Sequence, residues 1–330
     1  MAHGAGMKAT QTLVSGLFEP SFANEALAEL ADAATLNVEG VGIAFTTDSY
    51  VVKPLSFPGS SIGELAVNGT LNDLAVSGAR PVALSAAFII EEGLDADILR
   101  AEVAAMAAAA ERARVPIATG DTKVVERGKA DGMYITTAGV GVKDRRSRLS
   151  ATSIRPGDRI LCSGTIGDHG TAVMLARGDL ELDADISSDS APVWELADAL
   201  MESVGPSLRV MRDPTRGGVA TVLNELAHDA DVGVILDEDA VPLQPAVKGA
   251  CEILGIDPMY VANEGKVLAV VAADAADVAL AALRRRPLGT AAAIIGEIAE
   301  QPEGMVLVRT GFGGTRIMDM LIGDPLPRIC

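Results

Sequence analysis

The feature that most constrains the fold is an alternation. Apolar, β-branched runs at 41–52 (VGIAFTTDSYVV), 81–90 (PVALSAAFII), 116–125 (PIATGDTKVV) and 133–142 (MYITTAGVGV) are bounded by turn residues and read as strands. Between them, 61–78 and 95–113 read as helices, the second opening with acidic residues at its positive dipole end. Such alternation predicts an α/β first half. A charged stretch at 144–158, DRRSRLSATSIRPGD, closes on a Pro-Gly turn and marks a domain boundary. A second mixed layer is expected beyond it. Its strands fall at RILCSG and near 232–236, 266–272, 292–298 and 305–309, and its helices around 191–204, 215–228 and 274–285. From about Gly311 the chain turns Gly- and Pro-rich, the composition of a mobile tail, and no short-period repeat is visible.

A chain of 330 residues exceeds one hydrophobic core, and 49% hydrophobic residues supply two. The net charge of -18 repels phosphate backbones, and 3% aromatic residues leave few platforms for bases, so no nucleic-acid partner is expected. Cys162, Cys251 and Cys330 form neither a CxxC pair nor an even disulfide framework, which fits a reducing cytoplasm. The start, MAHGAGMKAT, lacks a basic n-region and apolar core, and the alanine-rich stretch near 101–110 is bracketed by Glu102, Glu111, Arg112 and Arg114. Neither an export signal nor a membrane span is expected.

Neither GxxxxGK[ST] nor a GxGxxG between strand and helix occurs, so both familiar nucleotide signatures fail. What recurs is aspartate in or at the ends of apolar elements: Asp32, Asp48, Asp73, Asp121 and Asp213. Buried carboxylates are costly without partners, and the set suggests cations. Magnesium matches, because it binds through a few carboxylates together with substrate phosphates; the chain would hold ATP through metal. Singly, each Asp has an ordinary explanation as a strand end, a wet helix face or a cap. Gly69, one turn before Asp73, costs about 1 kcal/mol relative to Ala in a helix and implies close approach of a backbone or ligand.

DPTRGG sets Gly217 and Gly218 beside Arg216 at a helix start, where N–H groups meet an anion or simply form a capped turn. Lys123 lies two residues beyond Asp121, on the same face of an extended strand. VANEGK offers Asn263 and Glu264, the latter a candidate base or a solvated turn residue. With only His3, His169 and His228, no Ser-His-Asp order or HExxH pattern appears. The chain closes on DPLPRIC, with a thiol on Cys330 behind Pro325 and Pro327. The thiol is either a chance terminal residue or a functional group on a stalk that rises about 3.1 Å per residue if extended. Arg328 would offset the effect of the terminal carboxylate on that thiol.

The stretches FTTDSYVVKPLSFPGSSIGELAVNGTLNDLAVSGARP, FIIEEG, TGDTKVV, RDPTRGGVATVLNE, NEGK, GFGGTRIMDM and LPRIC resemble the hydrogenase-maturation carbamoyl dehydratases, the HypE family. That family lies within the aminoimidazole ribonucleotide synthetase-like (PurM-like) superfamily. The resemblance runs over nearly the whole chain, and the terminal PRIC is its most specific part. It implies α/β plus α+β architecture in a two-domain aminoimidazole ribonucleotide synthetase-like fold with a flexible C-terminal tail. The divisions are an N-terminal segment or lid at 1–30, an ATP-binding and dimerisation domain at 31–152, a C-terminal domain at 153–310 and the tail at 311–330. The family start HGxGG reads HGAGM here, with Met7 in place of a glycine; His3, Gly4 and Gly6 still suit a lid.

By the same likeness, Asp32, Asp48, Asp73 and Asp213 hold metal or phosphate. Asn72, Asp121, Arg216 and Gly217 line the ATP site. Cys330 carries the carbamoyl group, Glu264 acts as base and Lys123 assists. ATP and Mg2+ are the implied cofactors. The implied partners are a HypF-type carbamoyltransferase, a HypC-HypD scaffold that receives cyanide, and a second copy in a homodimer. The alternatives are a selenophosphate synthetase-like enzyme acting on a free small molecule, which needs no Cys330, and a non-catalytic thiol carrier.

Overall fold

The structure is a computed structural model that describes residues 8–27, 31–178 and 184–322. The expected lid residues His3, Gly4 and Gly6, and the stalk with Pro325, Pro327, Arg328 and Cys330, lie outside the described residues.

Short helices α1 (Lys8–Leu13) and α2 (Glu19–Phe22) lead to a hairpin of β1 (Ala34–Val38) and β2 (Val41–Tyr50). The two-residue strands β3 (Ser56–Phe57) and β4 (Ser60–Ser61) then turn the chain into α3 (Ile62–Val76). β5 (Ala79–Glu91), α4 (Ala96–Ala113), β6 (Ile117–Val125) and β7 (Met133–Lys143) complete the first domain. Its five-stranded sheet runs β1-β2-β7-β5-β6, with β5 and β6 parallel and the other pairs antiparallel. The sequence reading anticipated all of these elements except α1, α2, β1, β3 and β4.

α3 buries every residue except Glu64 and Asp73. A helix that is apolar all round must be enclosed, and α3 lies between the first sheet and the second domain. Leu65 and Leu74 are fully buried and each contribute about 1.5–3 kcal/mol. Of these two carboxylates, Glu64 pairs with Arg112 of α4, and Asp73 faces the cleft between the domains.

The second domain contains β8 (Arg159–Cys162), α5 (Asp168–Ala176), α6 (Trp194–Val204), β9 (Leu208–Arg212), α7 (Gly218–Asp229), β10 (Gly233–Asp237) and α8 (Pro245–Leu254). It continues through β11 (Leu268–Val271), α9 (Ala276–Arg284), β12 (Ala293–Ala299), β13 (Met305–Arg309) and β14 (Thr315–Ile317). Its seven strands run β14-β13-β10-β12-β8-β11-β9, and α7 packs on one face while α6 and α9 pack on the other. Ala75 and Val76 of α3 join the latter core, so the two domains share apolar contact.

Two expectations change here. The stretch from Gly311 expected to be tail still belongs to the second domain through Met318, because Thr315–Ile317 pairs antiparallel with Leu307–Arg309 and Met318 is fully buried. α5, α8 and β9 had not been anticipated, although Pro245 at the first turn of α8 and left-handed Gly255 just after its end are the usual helix punctuation. Among the described residues, no helix is long and apolar enough to cross a membrane.

Candidate functional site

Side chains alternate along a strand, so Thr46, Asp48 and Tyr50 of β2 share the face that meets α3. Thr46 Oγ1 donates to Asp73 Oδ2 at 2.7 Å, and Tyr50 Oη lies 3.2 Å from Asp48 Oδ2. This explains Gly69: a β-carbon there would collide with the Tyr50 hydroxyl, so the close neighbour is a side chain of the protein itself. From the second domain, the turns after β9 and before β11 bring Asp213, Thr215, Arg216 and Glu264 to the same cleft. Asn263 ties those turns together, its Nδ2 donating to Pro214 O at 2.9 Å and its backbone N–H to the same oxygen at 3.1 Å.

Crowding of carboxylates dominates the electrostatics. Burial raises the pKa of Asp73 well above the usual range, and the charges of Asp48, Asp213 and Asp32 push it further. Asp213 is raised to about 8, first by burial and then by Asp32, against the pull of Arg212. Asp32 is raised by burial despite its 2.9 Å ion pair with Arg212. Glu264, 3% exposed, is raised by burial, Asp213, Asp189 and Asp48, with Arg216 offsetting part, and its Oε1 has no hydrogen-bond partner. A cluster that resists ionisation in this way invites a cation.

The residues suit magnesium in one specific manner. Among the described residues, no three His, Cys, Asp or Glu side chains are drawn together tightly enough to hold a metal alone. Asp48, Asp73 and Asp213 would therefore share an ion with phosphate oxygens and water, which is how magnesium is usually held. The cleft encloses about 50 Å³, whereas small-molecule sites usually span about 300–1,000 Å³. It accommodates ions and phosphoryl oxygens, and the remainder of a nucleotide must lie outside it.

The other site expectations divide. Gly217, left-handed at φ 77°, precedes α7 beside Arg216 as anticipated. Asn72 is 1% exposed and its amide is spent inside the protein: Nδ2 donates to Ala191 O at 3.0 Å and Glu264 O at 2.9 Å, and Oδ1 accepts from Val193 N. It braces Glu264 instead of facing the cleft. Asp121 and Lys123 do share a strand face, with Lys123 Nζ 2.6 Å from Asp121 Oδ2. That face is the far side of the sheet. Asp48 is in register with Thr137 and so with Ala86, whereas Asp121 is in register with Ala87 and so with Thr136. Within one chain this pair does not join the cleft. Sequence reasoning missed Thr46 and Tyr50, although their two-residue spacing from Asp48 was a usable signal. It also missed Arg212 and Asp189, whose roles depend on tertiary contacts.

Two cysteines are removed from candidacy by burial. Cys162 is pushed up to about 11, and Cys251 is also raised, so neither presents a ready thiolate.

A metal-free protein should report the strain in this cluster. A carboxyl whose pKa rises from 3.8 to about 8 on folding must take up a proton between those values, so its cost to stability grows across that window and levels off above it. The gain in melting temperature from Asp213→Asn in chelator is therefore expected to be larger at pH 8 than at pH 5. An equal gain at both would contradict the assigned cluster.

Comparison with known proteins decides the family. Residues 30–143 match the AIR synthase related protein N-terminal domain, and 155–309 match its C-terminal domain. The chain is 52% identical over 330 residues to carbamoyl dehydratase HypE of Bradyrhizobium diazoefficiens, covering all of this chain and 95% of that protein. It is 46% identical over 335 residues to carbamoyl dehydratase HypE of Escherichia coli K12, covering all of this chain and 98% of that one. The chain belongs to the HypE carbamoyl dehydratase family. A solved HypE–HypF complex matches with TM-score 0.88 at 46% identity, over 94% of this chain and 99% of the solved one. HypE solved in complex with ATP matches with TM-score 0.84 at 46% identity, over 99% and 98%.

Proposed function

We propose that this chain, as a HypE family member, is an ATP-dependent carbamoyl dehydratase serving [NiFe]-hydrogenase maturation. A HypF-type carbamoyltransferase loads a carbamoyl group on the Cys330 thiol, and the chain removes water from it to leave a thiocyanate. A HypC-HypD scaffold then receives the cyanide for iron. The observation that supports this most directly is Glu264, a buried carboxyl with an unpartnered oxygen beside three aspartates fit to hold a phosphate-bound cation. A reducing cytoplasm, which keeps Cys330 a free thiol, suits this chemistry.

An amide oxygen is a poor leaving group until it is phosphorylated. The thiocarbamate oxygen attacks the γ-phosphorus of ATP, the bond to ADP breaks, and one N–H proton is lost to give an O-phosphorylated imidate. Removal of the second N–H proton then drives the electron pair into a C≡N bond as the C–O bond breaks and phosphate departs. Glu264 accepts a proton, and the pKa raised by its surroundings makes it a stronger base than an ordinary carboxylate. Magnesium held by Asp48, Asp73 and Asp213, with Asp32 behind them, would neutralise charge on the phosphoryl oxygens. Arg216, at the cleft, adds a fixed positive charge. Phosphate release by the carbamoylated chain, stoichiometric with Cys330 and absent from the unloaded chain, tests this reading; equal release from both would oppose it.

The far face of the first sheet supports a homodimer. α3 and α4 cover only one face, while Leu36, Phe45, Val140 and Ile89 are exposed on the other or along its edges, and β6 is an exposed edge strand. Lys123 and Asp121 stand on that face, so they serve the cleft of the second copy. Co-expression of Glu264→Gln and Lys123→Ala chains tests this. A mixed dimer keeps one of its two sites intact and regains activity, whereas a site built within one chain regains none.

A further inference from the structure

The turn that bears Glu264 is held from both domains. Asp189 lies in the loop before α6, and its carboxylate is 4% exposed and bound at both oxygens. Oδ1 accepts from the backbone N–H of Glu264 at 3.1 Å, and Oδ2 is 3.0 Å from Lys266 Nζ, whose side chain is 11% exposed. Gly265 stands between these two contacts. A β-carbon there would collide with the carbonyl oxygen of Asp189, so only glycine lets loop and turn lie together. On the opposite side, Asn72 of α3 donates to the Glu264 carbonyl. The loop is itself fastened to the first domain, through Ser188 N to Pro58 O at 2.8 Å and Asn68 Nδ2 to Ser190 Oγ at 3.1 Å.

We propose that Asp189, with Lys266 as its counter-ion, is a positioning residue for the dehydration. It fixes the backbone of Glu264 so that the carboxyl stays in the cleft. The inference rests on the reading of Glu264 as the base. The physical need is plain: an ionised Glu264 faces repulsion from Asp213, Asp189 and Asp48, with Lys266 balancing the charge of Asp189, and an unbraced turn would relieve it by moving outward. A backbone hydrogen bond from each side opposes that movement. Both Asp189 oxygens are engaged by the turn, so Asp189 acts through Glu264 and not on the substrate. The pair also requires its partner, since a buried Lys266 without Asp189 is left uncompensated.

The test is a double-mutant cycle on carbamoylated chain, read as the single-turnover rate of water loss, with ATP affinity and melting temperature measured in parallel. Asp189→Ala is expected to slow water loss on the order of 10²-fold, the usual consequence of misplacing a reacting group by about 1 Å. ATP affinity should stay within a few-fold, and in a Glu264→Gln background Asp189→Ala should cause no further loss. Asp189→Asn retains the acceptor for the Glu264 N–H and should recover part of the rate; it carries the cycle if the alanine variant does not fold. Multiplying losses in the double variant, or an unchanged rate in Asp189→Ala, would overturn the proposal. Failure of the base reading is seen separately, as a normal rate in Glu264→Gln alone.

Discussion

Cys330→Ser is expected to abolish carbamoyl loading and with it all net turnover, while leaving ATP binding unchanged. The reacting species of a cysteine is its thiolate, and a serine hydroxyl at neutral pH supplies almost no comparable anion. Neither remaining cysteine substitutes, because Cys162 and Cys251 are buried and burial raises both thiols. The cleft is built from Asp48, Asp73, Asp213 and Glu264, which β2, α3 and the turns after β9 and before β11 position. Labelled carbamoyl transfer and nucleotide titration on the same preparation check both halves. Loading of the serine variant at the normal rate would remove the carrier role.

Glu264→Gln carries the second large effect, a loss of about 10²–10⁴-fold in the dehydration step, the usual worth of a general base. Glutamine keeps the size and both backbone contacts, to Asp189 and Asn72, so the turn should remain in place. Removing a carboxyl that burial and its neighbours push upward also relieves repulsion in the metal-free protein, so ATP binding should not weaken. Carbamoylated Cys330 should then accumulate with ATP bound. Normal dehydration at normal ATP binding would reject Glu264 as the base.

Much of the site was legible because its signal is local. Asp48, Asp73 and Asp213 each have an ordinary local explanation, but their recurrence in or at the ends of apolar elements marked them as a set, and the structure brings all three to one cleft. Gly69 rightly signalled a close approach, but the partner, Tyr50, is distant in sequence and joins through sheet and helix packing. The same limit explains Asp121 and Lys123. Their shared strand face follows from two-residue spacing, whereas which side of the sheet they occupy is set by pairing of β6 with β5 and of β5 with β7. Asn72 was expected in the site on the family resemblance alone, yet a one-residue step from Asp73 around a buried helix turns it toward the interdomain loop. Asp189 gave no local signal, since an Asp amid serines and a proline reads as an ordinary turn. In the fold, long alternating segments such as β2, β5 and β7 were evident, while the short β9 and β14 depend on neighbours that sequence does not name.

The central claim is that ATP drives loss of water from a carbamoyl group on Cys330. It is tested most directly by mass spectrometry of the intact chain and its C-terminal peptide after loading by a HypF-type carbamoyltransferase, with and without Mg-ATP. The account predicts that Cys330 gains one carbamoyl group and then loses one water only when Mg-ATP is present. An unmodified Cys330 alongside continued ATP hydrolysis would contradict it and point to a free small-molecule substrate.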